Sequence, residues 1–241
     1  MYLNLFQCMA CDETGPDSGS LPLCQLCLDS LIPCPPLCAQ CTGLACSPAQ
    51  CSRPWIQQPP GNPIRSFSAR YLLIGQGFRV LKRWKTHSGL AFDRRVLGRD
   101  LGRPFRESTA LKLGTAGAVV VAIPQDPRRS RSLGGNPAER IAYALARITG
   151  LEVQKVLQAP ELRSGPRQAE RSATERLESP MKFRATGPCP KRIILVDDFM
   201  TTGHTLRSAA AALARAGTRE VDVFCLGFRP PLDRGPEKRI R

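Results

Sequence analysis

Two adjacent acids followed by a short Thr/Gly loop are the residues of this chain whose types and spacing could do chemistry. Asp197 and Asp198 close the aliphatic run Ile193-Ile194-Leu195-Val196, and Thr201-Thr202-Gly203-His204-Thr205 follows two residues later. The acids can accept hydrogen bonds from sugar hydroxyls or hold Mg²⁺ through water. Backbone N–H groups at a helix start, with Thr hydroxyls beside them, make a site for a monophosphate. Side by side, the two devices suit a phosphorylated sugar. The alternative is a strand–turn–helix that uses Asp-Asp and Gly only as a turn, although two acids ending a buried strand are costly without a ligand or partner.

The elements that must position these groups can be read around them. A continuous aliphatic run predicts a buried parallel strand, and acids at its carboxyl end lie where open α/β sheets place ligands. The loop opens a helix from Leu206 to about Ala216, ending at Gly217. Upstream, Phe67–Tyr71 reads as a short strand. Leu72–Lys85 has helical apolar spacing, with Lys82, Arg83 and Lys85 near its end as dipole-suited cations, either a solvated face or phosphate contacts. Arg94–Arg106 continues as a basic helical stretch. Ala118–Ile123 is a second buried strand, and a helix follows over Pro137–Ile148 with Asn136 as N-cap and Pro137 at N1. Glu152–Leu157 and Val221–Phe228 read as further strands. Residues 159–182 are polar and long for a connection. Strands alternating with helices imply an α/β fold with a largely parallel sheet covered on both faces.

A second chemistry lies at the N-terminus, where nine of the eleven cysteines fall within residues 8–51. Cys8-x₂-Cys11-x₁₂-Cys24-x₂-Cys27 has the spacing of a four-thiolate zinc ribbon, with disulfides as the alternative. Cys38 and Cys41, followed by Cys46 and Cys51, form a looser second set, with Cys34 left over or replacing one of them. One or two structural Zn²⁺ ions are expected, because this head holds few large apolar residues and needs a metal to fold. Cys189 and Cys225 stand apart and read as inert thiols. The expected division is a zinc-ribbon head over residues 1–51, a linker over 52–63 rich in Pro and Gln, and the α/β body over 64–241.

Charge follows the same division. The chain carries +15, with −3 on residues 1–63 and +18 on the remainder. Such a field favours anionic partners, either nucleic acid or a multiply phosphorylated metabolite. An Arg-rich composition chosen for solubility is the plainer reading. No run of about 18 apolar residues exists, so no membrane span is expected, and a cytoplasmic protein is the expectation.

The run of hydrophobics, two acids and T-T-G-x-T resembles the PRPP-binding motif of type I phosphoribosyltransferases. That resemblance implies that Asp197 and Asp198 meet the ribose 2′- and 3′-hydroxyls at the reacting sugar. Thr201, Thr202, Gly203 and Thr205 would hold the 5-phosphate, and His204 would fill the motif's variable, exposed position without a catalytic role. Mg²⁺ would accompany PRPP, and Arg128, Arg129 or Arg131 would neutralise its pyrophosphate. A cysteine-ribbon head on such a domain resembles the ComF family of competence-associated proteins. The resemblance includes Leu81-Lys82, Val121-Ala122-Ile123-Pro124, and the segment marked by Arg163, Gln168, Arg176 and Phe183. Of the family's Arg-Gly-Phe-Asn-Gln element only Gly134 and Asn136 remain, and Ala122 and Ser179 replace an expected proline and asparagine. The family implies a part in natural competence and DNA uptake, with single-stranded DNA or competence-machinery proteins as partners. The alternatives to a PRPP-binding enzyme are a non-catalytic DNA-handling protein and a scaffold that docks a partner, such as a helicase, through its zinc head.

Overall fold

The computed structural model describes residues 5–16, 23–39, 42, 44, 51, 62–86, 117–126, 130–131, 133–159 and 183–230. In the head, β1 (Leu5–Gln7) and β2 (Thr14–Pro16) form an antiparallel pair, followed by the short helix α1 (Gln25–Asp29). The body then runs β3 (Ile64–Leu72), α2 (Gly75–Thr86), β4 (Ala118–Ala122), α3 (Pro137–Thr149), β5 (Leu157–Gln158), β6 (Arg184–Ala185), β7 (Arg192–Met200), α4 (His204–Arg215) and β8 (Glu220–Phe228). The expected helix over Arg94–Arg106 lies outside the described residues, as does most of the 159–182 segment.

Strands β3, β8, β7 and β4, in that order, form one parallel sheet, in agreement with the α/β expectation. Its unbroken aliphatic runs are explained by burial on both faces. Ile194 and Val196 of β7 pack with α2 and α3, while Ile193 and Leu195 pack with α4. The strand expected over Glu152–Leu157 takes a different form. Val153 makes one parallel bridge to Val120, and the chain then turns away so that β5 pairs antiparallel with β6.

Two boundaries differ from the sequence reading in ways that shape the site. β7 runs on through both acids to Met200, because β8 keeps pairing with it up to Met200↔Phe228. β4 stops earlier, at Ala122↔Val196. Among the described residues β4 forms no ladder pair beyond Val196, and the acids stand at that notch in the sheet. Helix α4 begins at His204, two residues before the expected Leu206, because Gly203 at φ 71° turns the chain directly into it. The cap of α3 is as expected: Asn136 Oδ1 accepts from Ala138 N at 3.0 Å, with Pro137 at N1. The same asparagine donates through Nδ2 to the Ile123 carbonyl at 2.9 Å. Asn136 is thus held at the tip of β4.

Head and body share one core. Cys8, Leu23 and Cys27 are buried in the same apolar cluster as Tyr71, Leu73, Val80, Leu81 and Trp84. The segment after α1 also covers the outer edge of β3. Leu72 N donates to the Ile32 carbonyl at 2.8 Å, and Cys34 N donates to the Arg70 carbonyl at 2.9 Å. On α2, a Cβ added at Gly77 would stand 2.3 Å from the Ser30 carbonyl oxygen. Gly77→Ala is therefore expected to lower stability by about 1–3 kcal/mol by forcing the head off α2. Thermal denaturation checks this, and an unchanged melting temperature would mean that the close approach is dispensable.

Candidate functional site

The acid pair sits at the notch with a cation against it. Asp198 is buried, and its Oδ1 accepts from Phe199 N at 2.6 Å. It keeps the strand parity of Ile194 and Val196, on the face that α2 covers, and the ammonium of Lys85 near the end of α2 pairs with its Oδ2. Lys85 also stands 5.1 Å from the centroid of the Phe199 ring. Asp197 Oδ1 accepts from Asp198 N at 2.8 Å. Burial and then the charge of Asp198 push the Asp197 carboxyl up to about 8, against weaker opposition from the Asp198 N–H and Lys85. Across the ladder, burial and the same two acids push the Cys225 thiol well above its ordinary value.

This raised carboxyl sets a pH dependence. Asp197 holds its proton in the folded chain up to about pH 8, whereas an unfolded aspartate loses it near pH 4. The folded state thus binds the extra proton across that window. The contribution to stability is complete below pH 4 and lost as pH rises through 8. Asp197→Asn is expected to flatten this part of the melting-temperature profile, and a profile that keeps its slope would show that another group causes it.

The loop follows immediately. Thr201 is exposed, Thr202 and Thr205 are half-buried, and Gly203 is buried at the cap of α4. Thr202 Oγ1 accepts from His204 N at 3.4 Å, and the Arg207 guanidinium donates to the Thr202 carbonyl while lying 4.9 Å from the Phe67 ring centroid. His204 was expected to be exposed. It is half-buried instead, with Nε2 enclosed, because it forms the first residue of α4. The chain therefore presents, in sequence and side by side, two carboxyl groups, a Thr/Gly turn and a helix N-terminus. That arrangement can hold hydroxyls at one end and a phosphate at the other. Of the pyrophosphate candidates, Arg131 is exposed, and Arg128 and Arg129 lie outside the described residues.

In the head, Cys8, Cys11, Cys24 and Cys27 bring their sulfurs within 4.8 Å of one another. The four are free thiols, and the Cys11 and Cys24 sulfurs are 3.7 Å apart. Tetrahedral coordination at a metal–sulfur distance of about 2.3 Å needs sulfurs about 3.8 Å apart, so the set fits a metal ion such as zinc. N–H donors already point at these sulfurs, as they do around metal-bound thiolates. Cys24 N reaches Cys8 Sγ at 3.3 Å, Ala10 N reaches it at 3.4 Å, and Gln76 Nε2 of α2 reaches Cys27 Sγ at 3.6 Å. Burial pushes the Cys8 thiol up, but the N–H groups of Cys24, Ala10 and Cys11 outweigh it and bring the group down to about 6. Of the looser second set, Cys38 and Cys51 are described, while Cys41 and Cys46 lie outside the described residues. Burial pushes Cys34 up to about 12.

Residues 137–238 match the family description "Phosphoribosyl transferase domain". Over 108 residues the chain is 32% identical to the competence protein ComFC of Streptococcus pneumoniae, covering 44% of this chain and 46% of that protein. The chain thus carries a phosphoribosyltransferase-type domain and is similar to a competence protein of the ComF family. The chain is also 54% identical to an adenine phosphoribosyltransferase of Borrelia garinii subsp. bavariensis, over 33 residues that make up 14% of the chain and 19% of that enzyme. The chain thus spans less than half of either relative. Among solved structures, an allosteric regulatory enzyme of purine biosynthesis aligns at 21% identity and a TM-score of 0.39, covering 61% of this chain and 29% of that one. A purine phosphoribosyltransferase from Pyrococcus horikoshii aligns at 16% and 0.33, covering 58% and 75%. No helix among the described residues is long and apolar enough to cross a membrane.

Two cations gain a meaning that their place near a helix end did not give. Arg83 pairs with Asp12 and donates to the Met9 carbonyl at 3.0 Å, and Lys85 pairs with Asp198. Neither belongs to a purely solvated helix face. The signal available in the sequence was the adjacent buried acid pair, which needs a counter-cation from somewhere.

Proposed function

We propose that this chain binds PRPP, or a related ribose 5-phosphate ligand, in the notch beside β7. Asp197 and Asp198 take the ribose hydroxyls, and Thr201, Thr202, Gly203 and Thr205 take the 5-phosphate. The observation that carries the reading is the opening of the sheet at Val196, which leaves the acid pair and the N-terminal turn of α4 on one continuous stretch of chain. Turnover would transfer the ribosyl group to an acceptor nucleophile that bonds to C1 as the C1–O bond to pyrophosphate breaks, a reaction that depends on positioning and on charge at the leaving group rather than on a nucleophilic side chain. Arg128, Arg129 and Arg131 are the residues assigned to that charge, and Mg²⁺ arriving with PRPP would share in its neutralisation. We assign one structural Zn²⁺ to Cys8, Cys11, Cys24 and Cys27. A second is assigned to Cys38, Cys41, Cys46 and Cys51, in a head over residues 1–51 joined through 52–63 to the 64–241 body. A cytoplasmic location accords with this cluster of reduced thiols.

The match to a competence protein and the +18 body favour a second reading, in which the domain handles single-stranded DNA in competence. Calorimetric titration of the metal-loaded protein with Mg²⁺–PRPP, ribose 5-phosphate and single-stranded DNA separates the two. Saturable PRPP binding is expected. Silence toward both sugars with salt-dependent DNA binding would replace the first reading by the second.

A further inference from the structure

Helix α2 is fastened to the head at both ends. Near its start, Gly77 admits the Ser30 carbonyl, and Gln76 donates to the Cys27 sulfur. In its last turn, Arg83 is tied to Asp12 and to the Met9 carbonyl. A helix held this way delivers Lys85 to one place. Its side chain is 17% exposed and the Asp198 side chain 11%. A lysine serving only the helix dipole would extend into water, since burying an ammonium costs several kcal/mol unless it is paired. Among the described residues, three other titratable groups stand close by: Asp198 and Asp197 on β7, and Cys225 opposite Asp197 on β8. Asp197 and Cys225 are both shifted toward their protonated forms by burial. Among the described residues, one ammonium therefore meets one carboxylate, which balances the acid pair before any ligand arrives.

We propose that Lys85 is a positioning residue of the sugar site, holding Asp198 as the charged acceptor so that the pair meets ribose hydroxyls with no divalent cation between them. This inference rests on the assignment of the notch to a ribose 5-phosphate ligand. It separates the two ends of that ligand: the diol is met by a pair that Lys85 has already neutralised, and a divalent cation is needed only where pyrophosphate is present. Ribose 5-phosphate, which lacks pyrophosphate, should then bind in the presence of a chelator that spares the thiolate cluster.

The test uses the full metal-loaded chain carrying ¹³C-labelled aspartate, with the two carboxyl signals assigned through Asp197→Asn and Asp198→Asn. Wild type, Lys85→Met and Lys85→Arg are compared by carboxyl titration and by calorimetry with ribose 5-phosphate between pH 6 and 9. Thermal denaturation confirms that each variant folds. In Lys85→Met, the acid pair is expected to hold a proton at least one pH unit higher, and affinity for ribose 5-phosphate to fall at least tenfold. Lys85→Arg should restore both. If Lys85→Met titrates and binds as wild type does, the role given to Lys85 is wrong and the sugar site stands. A wild type that binds ribose 5-phosphate at no pH, with or without Mg²⁺, overturns the sugar assignment and this inference with it.

Discussion

Replacing Asp197 and Asp198 together by asparagine should reduce affinity for PRPP and ribose 5-phosphate by on the order of tenfold to a hundredfold, since hydrogen bonds to the ion-paired carboxylate of Asp198 contribute roughly 1.5–3 kcal/mol each. The two positions are not equivalent. Asp197 carries its proton at neutral pH, so an amide of the same shape changes little there. Asp198→Asn removes the partner of the Lys85 ammonium and should lower the melting temperature as well as affinity. The cysteine cluster is remote in sequence and keeps its ligands, so metal content should be unchanged in the double variant. Calorimetry with metal analysis on the same sample reads both effects. Unchanged affinity would remove these acids from the ligand site.

Loss of a cluster thiolate should have the second large effect. Cys8→Ser or Cys24→Ser opens a four-sulfur set, and structural zinc sites of this kind contribute apparent free energies of roughly 10–16 kcal/mol to the folding of small modules. Cys8 and Cys27 are buried against α2 in a core that includes Trp84 and reaches Ile194 and Val196 of β7. Metal loss should therefore lower the melting temperature of the whole chain rather than unfold an appendage. A chelator strong enough to strip the metal from the wild type should reproduce the effect. Retained metal stoichiometry in either variant would show that the four cysteines are grouped wrongly. A body that melts unchanged after metal loss would show that the head packs independently.

The site was legible in the sequence where chemistry and local order coincide. Hydrophobics, two acids and a Thr/Gly turn before a helix are contiguous in the chain, so each group is placed by its neighbours within a few residues. The same holds for the Asn136-Pro137 start of α3 and for the two cysteine knuckles, whose x₂ spacing is itself the geometry. The reading fell short where a partner decides the outcome. The Glu152–Leu157 run has strand-like composition, yet it becomes one bridge to Val120 before the chain turns away to pair with β6. His204 looked like a free variable position, but α4 starts on it.

By itself, the sequence determined the parallel α/β body, the four-cysteine cluster and the order of acids and loop, because continuous aliphatic runs, x₂ thiol pairs and caps act over one or two turns. Only the tertiary structure decided what surrounds the acids. The unequal ends of β4 and β8 along β7 leave the acids past the last β4 pair, and packing of the cysteine head on α2 brings Lys85 to Asp198 across more than a hundred residues of chain. No local pattern encodes either, since a strand's length is set by its partner and a buried cation is placed by the elements that clamp its helix.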